Sequence, residues 1–245
     1  MTELWLIGIG TGSPGHVTLE GQQALREADL ILIPRKGPGK DDLAHLRHAI
    51  LSQAGATANV AEFDMPVRDE SLPYQQRVAA WHDEIARRWK VAIERAAPQG
   101  PVALLVWGDP GLYDSTLRIA GRLSPAPKIR VLPGVTALQA LTAAHAIPFN
   151  TVNGAVTVTT GRRLRDFGWP QGAETLVVML DGECSFSTLD PEELYIWWGA
   201  FLGMPEQLLD HGPLAEAGPR ITRTRAEARL QHGWIMDTYL LRRAP

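Results

Sequence analysis

The sequence predicts an α/β protein built as two lobes. Three observations carry that expectation. Short unbroken apolar runs alternate with helix-spaced patterns through the first half, several of those runs end in glycine-containing loops, and the pattern changes character near Pro148-Phe149-Asn150. Apolar runs that do not alternate with polar residues belong to parallel sheets covered on both faces.

Residues 4–7 (LWLI) read as a buried strand that enters the loop GIGTGSPG at residues 8–15. Thr18 can cap a helix over residues 19–28, with Leu25 and Ala28 inward, because its hydroxyl can accept from first-turn amides. Residues 30–33 (LILI) form a second strand ended by Pro34, and Gly37-Pro38-Gly39 marks a mobile loop. Residues 43–51 look helical and 60–63 strand-like. Pro73 opens a long helix with Tyr74, Val78, Trp81, Ile85, Trp89 and Ile93 on one stripe. Residues 102–107 and 129–132 are further strands, and 135–146 is a helix of small residues. Past residue 150, 155–160 (AVTVTT) alternates like a half-buried strand, 176–180 is a buried one and 195–201 (YIWWGAF) an aromatic one. Pro219 is placed to open a helix running to Gln231, with Gly233 near its stop, and 235–241 is a last strand. The expected domains are residues 1–150 and 151–245.

With 245 residues, 45% apolar, the chain can bury a substantial core. A net charge of −3 gives no basic balance toward nucleic acid. Cys184 is the only cysteine, so no disulfide forms within the chain; this suggests a reducing, cytoplasmic setting and a buried thiol. No run reaches the ~18 apolar residues of a membrane span, and Glu3 with no basic residue before Leu4 argues against a signal peptide.

The opening loop, Gly8-x-Gly10-x-Gly12-Ser13-Pro14, nearly matches a dinucleotide fingerprint. Two features argue against that use. Pro14 lacks an N–H for an anion cradle, and Pro34-Arg35-Lys36 stands where an NAD site would carry an acid for the ribose. Arg35 facing a 2′-phosphate keeps an NADP site open. Two more strands end in Gly108-Asp109-Pro110-Gly111-Leu112-Tyr113 and in Pro133-Gly134-Val135-Thr136-Ala137. Ligands of open α/β sheets lie beyond the carboxyl ends of the strands, so three such loops suggest one crevice.

GIGTGSPG, WGDPGLY and LPGVTAL followed by AIPF, in that order, resemble the tetrapyrrole methylase family. The late segments VVMLDGECSF, YIWWGAFLGMPEQLL and GWIMDTYLLRR are similar to its deacetylating C-1 methylase branch. The resemblance implies a Rossmann-like, mainly parallel first lobe and a mixed sheet in the second. It also implies a homodimer, and S-adenosylmethionine bound between the lobes and leaving as S-adenosylhomocysteine. Precorrin-5, an anionic tetrapyrrole, would be the substrate, methylated at C-1 with loss of acetate. Gly108, Asp109, Leu112, Thr136, Ala137, Leu180, Ala200 and Gly233 would contact the cofactor. Gly12, Ser13 and Pro14 would form a donor-poor wall against the macrocycle. Another methylase of the family, a non-catalytic sensor of the cofactor and an NADP-dependent reductase are the rival readings.

Acyl removal needs a base for water and donors for an oxyanion. The candidates are Asp109, His16, Tyr113 and Asp181. Asp109 has turn capping, and Asp181 a solvated turn, as the alternative reading. Arg35 and Lys36 at a strand end suit substrate carboxylates, as do Arg162 and Arg163 after AVTVTT. Arg220, Arg223, Arg225 and Arg229 share no single helix face and read as solvated. His45 and His48 lack a third ligand at zinc spacing, so no metal is expected.

Overall fold

The computed structural model describes residues 3–35 and 42–243, so Lys36 and the loop Gly37-Pro38-Gly39 lie outside the described residues. The chain divides into two compact units, Met1–Thr136 and Ala137–Pro245.

In the first unit the strands are β1 (Glu3–Gly8), β2 (Leu30–Arg35), β3 (Asn59–Asp64), β4 (Val102–Val106) and β5 (Lys128–Leu132). They form one sheet, ordered β3-β2-β4-β1-β5, with every pairing parallel. Its helices are α1 (Leu19–Glu27), α2 (Asp42–Ala54), α3 (Tyr74–Ala96) and α4 (Thr116–Ala120). Successive strand residues point to opposite faces, and both faces are covered. On one face Trp5, Ile7, Ile31, Ile33 and Leu105 meet Leu25 of α1 and Ile50 and Leu51 of α2. On the other, Leu4, Leu6, Leu32 and Leu104 meet Ile85 and Trp89 of α3 and Ile119 of α4. This two-sided burial is why the strands read as unbroken apolar runs. Thr18 caps α1 as expected, its Oγ1 accepting from the Gly21 amide at 3.0 Å. The stripe on α3 differs at its start: Tyr74 is exposed, while His82 turns inward beside Ile85, Ala86 and Trp89. Helix α4, only five residues long, gave too short a pattern to read from sequence.

The second unit holds α5 (Ala137–Ala144), β6 (Val156–Thr160), α6 (Gly161–Phe167), β7 (Thr175–Met179), β8 (Leu194–Ala200), β9 (Leu208–Pro213), α7 (Leu214–His232) and β10 (Asp237–Arg243). The helix expected in the first lobe is therefore α5 of the second. It packs on β8 and β10, where Leu141 Cδ1 would lie 2.9 Å from a Cβ built on Gly199. The sheet order is β6-β7-β10-β8-β9, with β6 and β7 parallel and the remaining pairings antiparallel, a mixed sheet as the resemblance implied. Trp198, Tyr239, Phe186, Ile196 and Leu241 form its core with Leu214, Ala217 and Ile221 of α7. The Phe186 and Tyr239 rings meet edge-on at 5.2 Å.

Pro219 does not open the late helix. Helix α7 begins at Leu214, after Pro213, and carries Pro219 inside it. An interior proline removes one hydrogen bond and crowds the preceding turn at about 3 kcal/mol. The helix persists because Leu214, Ala217, Ile221, Arg225 and Ala228 form a buried stripe at helical spacing. Strand β9 (LLDHGP) is a short edge strand whose polar, glycine- and proline-containing pattern carries no strand signal in the sequence.

Leu6 lies fully buried on an interior strand of the first sheet, whereas Val67 is 94% exposed. Leu6→Ala should lower unfolding stability by about 2–5 kcal/mol. Val67→Ala should change it by less than about 0.5 kcal/mol. Urea denaturation of the two variants measures both.

Candidate functional site

Strands β4, β1 and β5 are adjacent and parallel, so their three glycine loops leave the sheet side by side. Beyond the strand ends the first two loops stay paired. Ile9 donates to the Val106 carbonyl at 2.9 Å, and Gly10 and Gly108 exchange N–H···O bonds at 3.3 and 2.8 Å. The third loop approaches backbone to backbone. A Cβ on Gly134 would lie 2.1 Å from the Gly108 carbonyl oxygen, and one on Gly8 would lie 2.5 Å from the Gly134 nitrogen. Asp109 fastens this arrangement: its Oδ1 accepts from the Gly111 amide at 2.7 Å and its Oδ2 from the Gly134 amide at 3.0 Å.

Several amides in and after the opening loop are engaged within the protein. Those of Ile9 and Gly10 serve the second loop, His16 donates to the Ser13 carbonyl, and Gly15 donates to Ser13 Oγ at 3.2 Å. At the head of α1 the Gly21 amide is held by Thr18. A pyrophosphate seat needs such amides pointing at the ligand. The amides of Ile9, Gly10, Gly15 and Gly21 are therefore already taken, and Pro14 has none to give.

Of the remaining first-unit candidates, His16 is partly buried in the 3₁₀ turn Pro14–His16, with Nδ1 3.1 Å from Thr11 Oγ1. Burial lowers its pKa below the ordinary 6.5, favouring neutral imidazole. Gly10 has φ +73°, and a Cβ there would strike the His16 Cβ, so the glycine makes room for the imidazole. Tyr113 is held at φ +49° and is 42% exposed. Such a conformation is uncommon for a bulky side chain and clusters at functional sites. The Leu112 amide closes a turn on the Asp109 carbonyl, and Thr136 passes close to Gly108. Arg35 ends β2 half exposed, with Glu62 of the neighbouring strand 3.4 Å away. Ala137 is the first residue of α5.

In the second unit the ends of β7 and β8 and the start of β10 share one edge of the sheet, because β10 runs antiparallel to both. Ala200 pairs with Asp237 there, and Leu180 follows β7. Leu180 has φ +53° and is 66% exposed, an apolar side chain held out in a strained conformation. Gly233 caps α7 at φ +70°. Arg162 and Arg163 lie in the first turn of α6, directly after β6.

Asp181 departs from the expectation of a solvated or outward-facing acid. It is 6% exposed. Its carboxylate accepts from the Glu183 amide, the Ser185 amide, the Ser185 hydroxyl and the Tyr239 hydroxyl, at 2.6–3.0 Å. Burial and Asp181 itself push the Tyr239 phenol well above its usual pKa, so it stays a donor. Arg225 also departs from the sequence reading: it is buried against Asp237 instead of solvated. The clue was its place on the apolar stripe of α7, between Ile221 and Ala228. A second buried guanidinium, Arg47 of α2, lies 5.6 Å from the Trp107 ring at the tip of β4. Burial pulls its pKa to about 10, with Asp114 opposing, and it remains a cation at neutral pH. Among the described residues no group of three or more His, Cys, Asp or Glu is placed to hold a metal ion, and no helix is long and apolar enough to cross a membrane.

The crowding of the strand tips is testable. Gly134→Ala should cost about 1–3 kcal/mol in a chemical melt, since its methyl group meets backbone that cannot yield. Gly182→Ala, with nothing within 4 Å of the added carbon, should stay within about 0.5 kcal/mol of the parent.

Comparison with known proteins places this geometry. A family model described as Tetrapyrrole (Corrin/Porphyrin) Methylases matches residues 3–218. The precorrin-6A synthase [deacetylating] of Sinorhizobium sp is 43% identical over 99% of this chain and 96% of its own length. The crystal structure of a cobalamin synthesis related protein, CobF, from Corynebacterium diphtheriae superposes with a TM-score of 0.86 at 38% identity, covering 100% of both chains. A uroporphyrin-III C-methyltransferase from Thermus thermophilus, solved with S-adenosylhomocysteine, shares the fold at 19% identity and a TM-score of 0.64, over 98% of this chain and 91% of that one. The chain therefore belongs to the tetrapyrrole methylase family.

Proposed function

We propose that the chain transfers the methyl group of S-adenosylmethionine to C-1 of precorrin-5 and removes the acetyl group as acetate, giving precorrin-6A in aerobic cobalamin biosynthesis. S-adenosylhomocysteine is the second product. In this reading the enzyme is a cytoplasmic homodimer. The observation that carries it is the likeness, over nearly its whole length, to a deacetylating precorrin-6A synthase.

S-adenosylmethionine supplies a methyl group on a sulfonium, an electrophile that needs no activation by the protein. The residues assigned to it are Gly108, Asp109, Leu112 and Thr136 of the first unit and Ala137, Leu180, Ala200 and Gly233 of the second. Their contribution is shape and dryness, which align the reacting atoms and exclude water. The exposed apolar side chain of Leu180 suits the flat face of a nucleoside. Gly12, Ser13 and Pro14 are assigned to the macrocycle, with Pro14 presenting no N–H. Arg35 and Lys36 are assigned to its carboxylates. Arg35 is half exposed and has Glu62 on one side, which leaves guanidinium donors for a second carboxylate.

Acetate release needs a proton acceptor for water. Asp109 and Asp181 have both carboxylate oxygens engaged by structural donors. Tyr113 can donate to a developing oxyanion. His16 is the candidate best suited as the base, because burial favours its neutral form and its Nδ1 is oriented by Thr11.

Mass spectrometry of the tetrapyrrole formed from precorrin-5 and S-adenosylmethionine tests the reaction, with one methyl gained and one acetyl lost as the expected result. A methyl gain alone points to another reaction of the family, and binding without formation of S-adenosylhomocysteine points to a sensor. His16→Ala should slow acetate release by about 10²–10⁴-fold. It should slow methyl transfer much less, as read by separate assays of acetate and S-adenosylhomocysteine. The parent enzyme's acetate release should hold steady through neutral pH and fall only below 6.5, since burial moves the His16 pKa downward and the neutral imidazole is the active form. Loss of rate centred above pH 7 would exclude His16.

A further inference from the structure

We infer that the buried pair Arg225–Asp237 is a positioning device that sets Leu180 for the nucleoside of the cofactor. The inference rests on the assignment of Leu180 to the cofactor.

Arg225 of α7 and Asp237 at the start of β10 have side chains only 9% and 7% exposed. Arg225 Nε donates to Asp237 Oδ2 at 2.8 Å and Nη2 approaches Oδ1 at 3.3 Å, a two-point contact. The same guanidinium donates from Nη2 to the Asp181 carbonyl at 2.9 Å and from Nη1 to the Gly182 carbonyl at 3.3 Å. Asp237 Oδ2 also accepts from Trp198 Nε1 at 2.9 Å. One cation thus holds the turn after β7 by its carbonyls, the start of β10 by a carboxylate and, through that carboxylate, the indole of β8.

The turn after β7 carries the assigned residue, Leu180. Leu180 immediately precedes Asp181, and its φ of +53° places it in a conformation that its neighbours must enforce. Ala200, opposite Asp237 in the β8–β10 register, is fully buried in the core, so the pair ties the turn to that core. On the other side of the turn, Asp181 receives the Tyr239 hydroxyl at 2.7 Å and the Ser185 amide at 2.6 Å. The turn is therefore gripped through its carbonyls and through its carboxylate at once.

Stability alone is a poor reason for such a pair. A buried ion pair recovers its desolvation cost only with ideal geometry and is often replaced by apolar side chains without loss. A fully satisfied buried network does define one arrangement of the segments that it joins. Lysine could supply the charge, but its ammonium lacks the planar fork that reaches a carboxylate and two carbonyls together.

The test measures calorimetric binding of S-adenosylhomocysteine and steady-state kinetics for four proteins: the parent, Arg225→Lys, the double variant Arg225→Met with Asp237→Asn, and Leu180→Ala. The double variant removes both buried charges while the amide introduced at position 237 keeps an acceptor for Trp198, so it serves if the lysine variant does not fold. Both variants of the pair should melt cooperatively, bind S-adenosylhomocysteine at least tenfold more weakly and show a matching rise in KM for S-adenosylmethionine. Their kcat at saturation should stay within about threefold of the parent. A folded pair variant with parental affinity overturns the inference, provided Leu180→Ala weakens binding. If Leu180→Ala leaves affinity unchanged, the assignment of Leu180 to the cofactor fails instead, and the inference falls with it.

Discussion

The first unit is organised by backbone meeting backbone at Gly134 and Gly8, where no Cβ fits. Side chains ordinarily keep strand tips apart, and their removal lets three loops close over one another. Once they are this near, their amides find partners within the loops: Gly10 and Gly108 bond reciprocally, and Gly134 is taken by Asp109. A glycine-rich sequence after a strand is commonly read as an anion cradle because its amides are free to point outward. Here Gly8 and Gly134 serve close approach of backbone to backbone.

The second unit fastens its strand ends by other means. Side chains replace backbone contact: Arg225, Asp237, Asp181, Tyr239 and Trp198 form one connected polar network under the sheet edge. The difference follows from topology. Parallel neighbours bring like ends together, so glycine loops can pack directly. In the mixed sheet the antiparallel β10 starts where β7 and β8 end, which sets a chain entering the sheet beside chains leaving it. Holding those segments in register falls to groups that can span several strands, and the guanidinium with its multiple donors is well suited.

The sequence disclosed the parts of this architecture that rest on periodicity. The β1, β2 and β4 runs, buried on two sides, and the Thr18 cap followed from local rules, and the structure agrees with them. It also located three glycine loops at strand ends, and the order β4-β1-β5 sets them side by side. What it hid depends on contacts distant in the chain. Pro219 is a start signal by its own chemistry, yet α7 runs through it because a stripe of buried residues extends to both sides. Arg225 looked like one of several solvated arginines, and only Asp237 and two carbonyls of the β7 turn explain its burial. Asp181 followed a strand and so looked exposed; the donors that enclose it come from Ser185 and from Tyr239, 58 residues away.

The proposed chemistry makes unequal demands on these parts. Methyl transfer from a sulfonium disperses charge, so a site made of backbone curvature and apolar contact is adequate, and no strong base is required. Deacetylation is the demanding step, because a water molecule must lose a proton as it attacks. Carboxylates are the obvious acceptors, but those of Asp109 and Asp181 are the fastenings of their respective loops, and protonating either would break a bond that shapes the site. An imidazole escapes that conflict. With Nδ1 turned to the Thr11 hydroxyl and its neutral form favoured by burial, His16 can accept a proton on its other nitrogen while the loop around it keeps its hydrogen bonds.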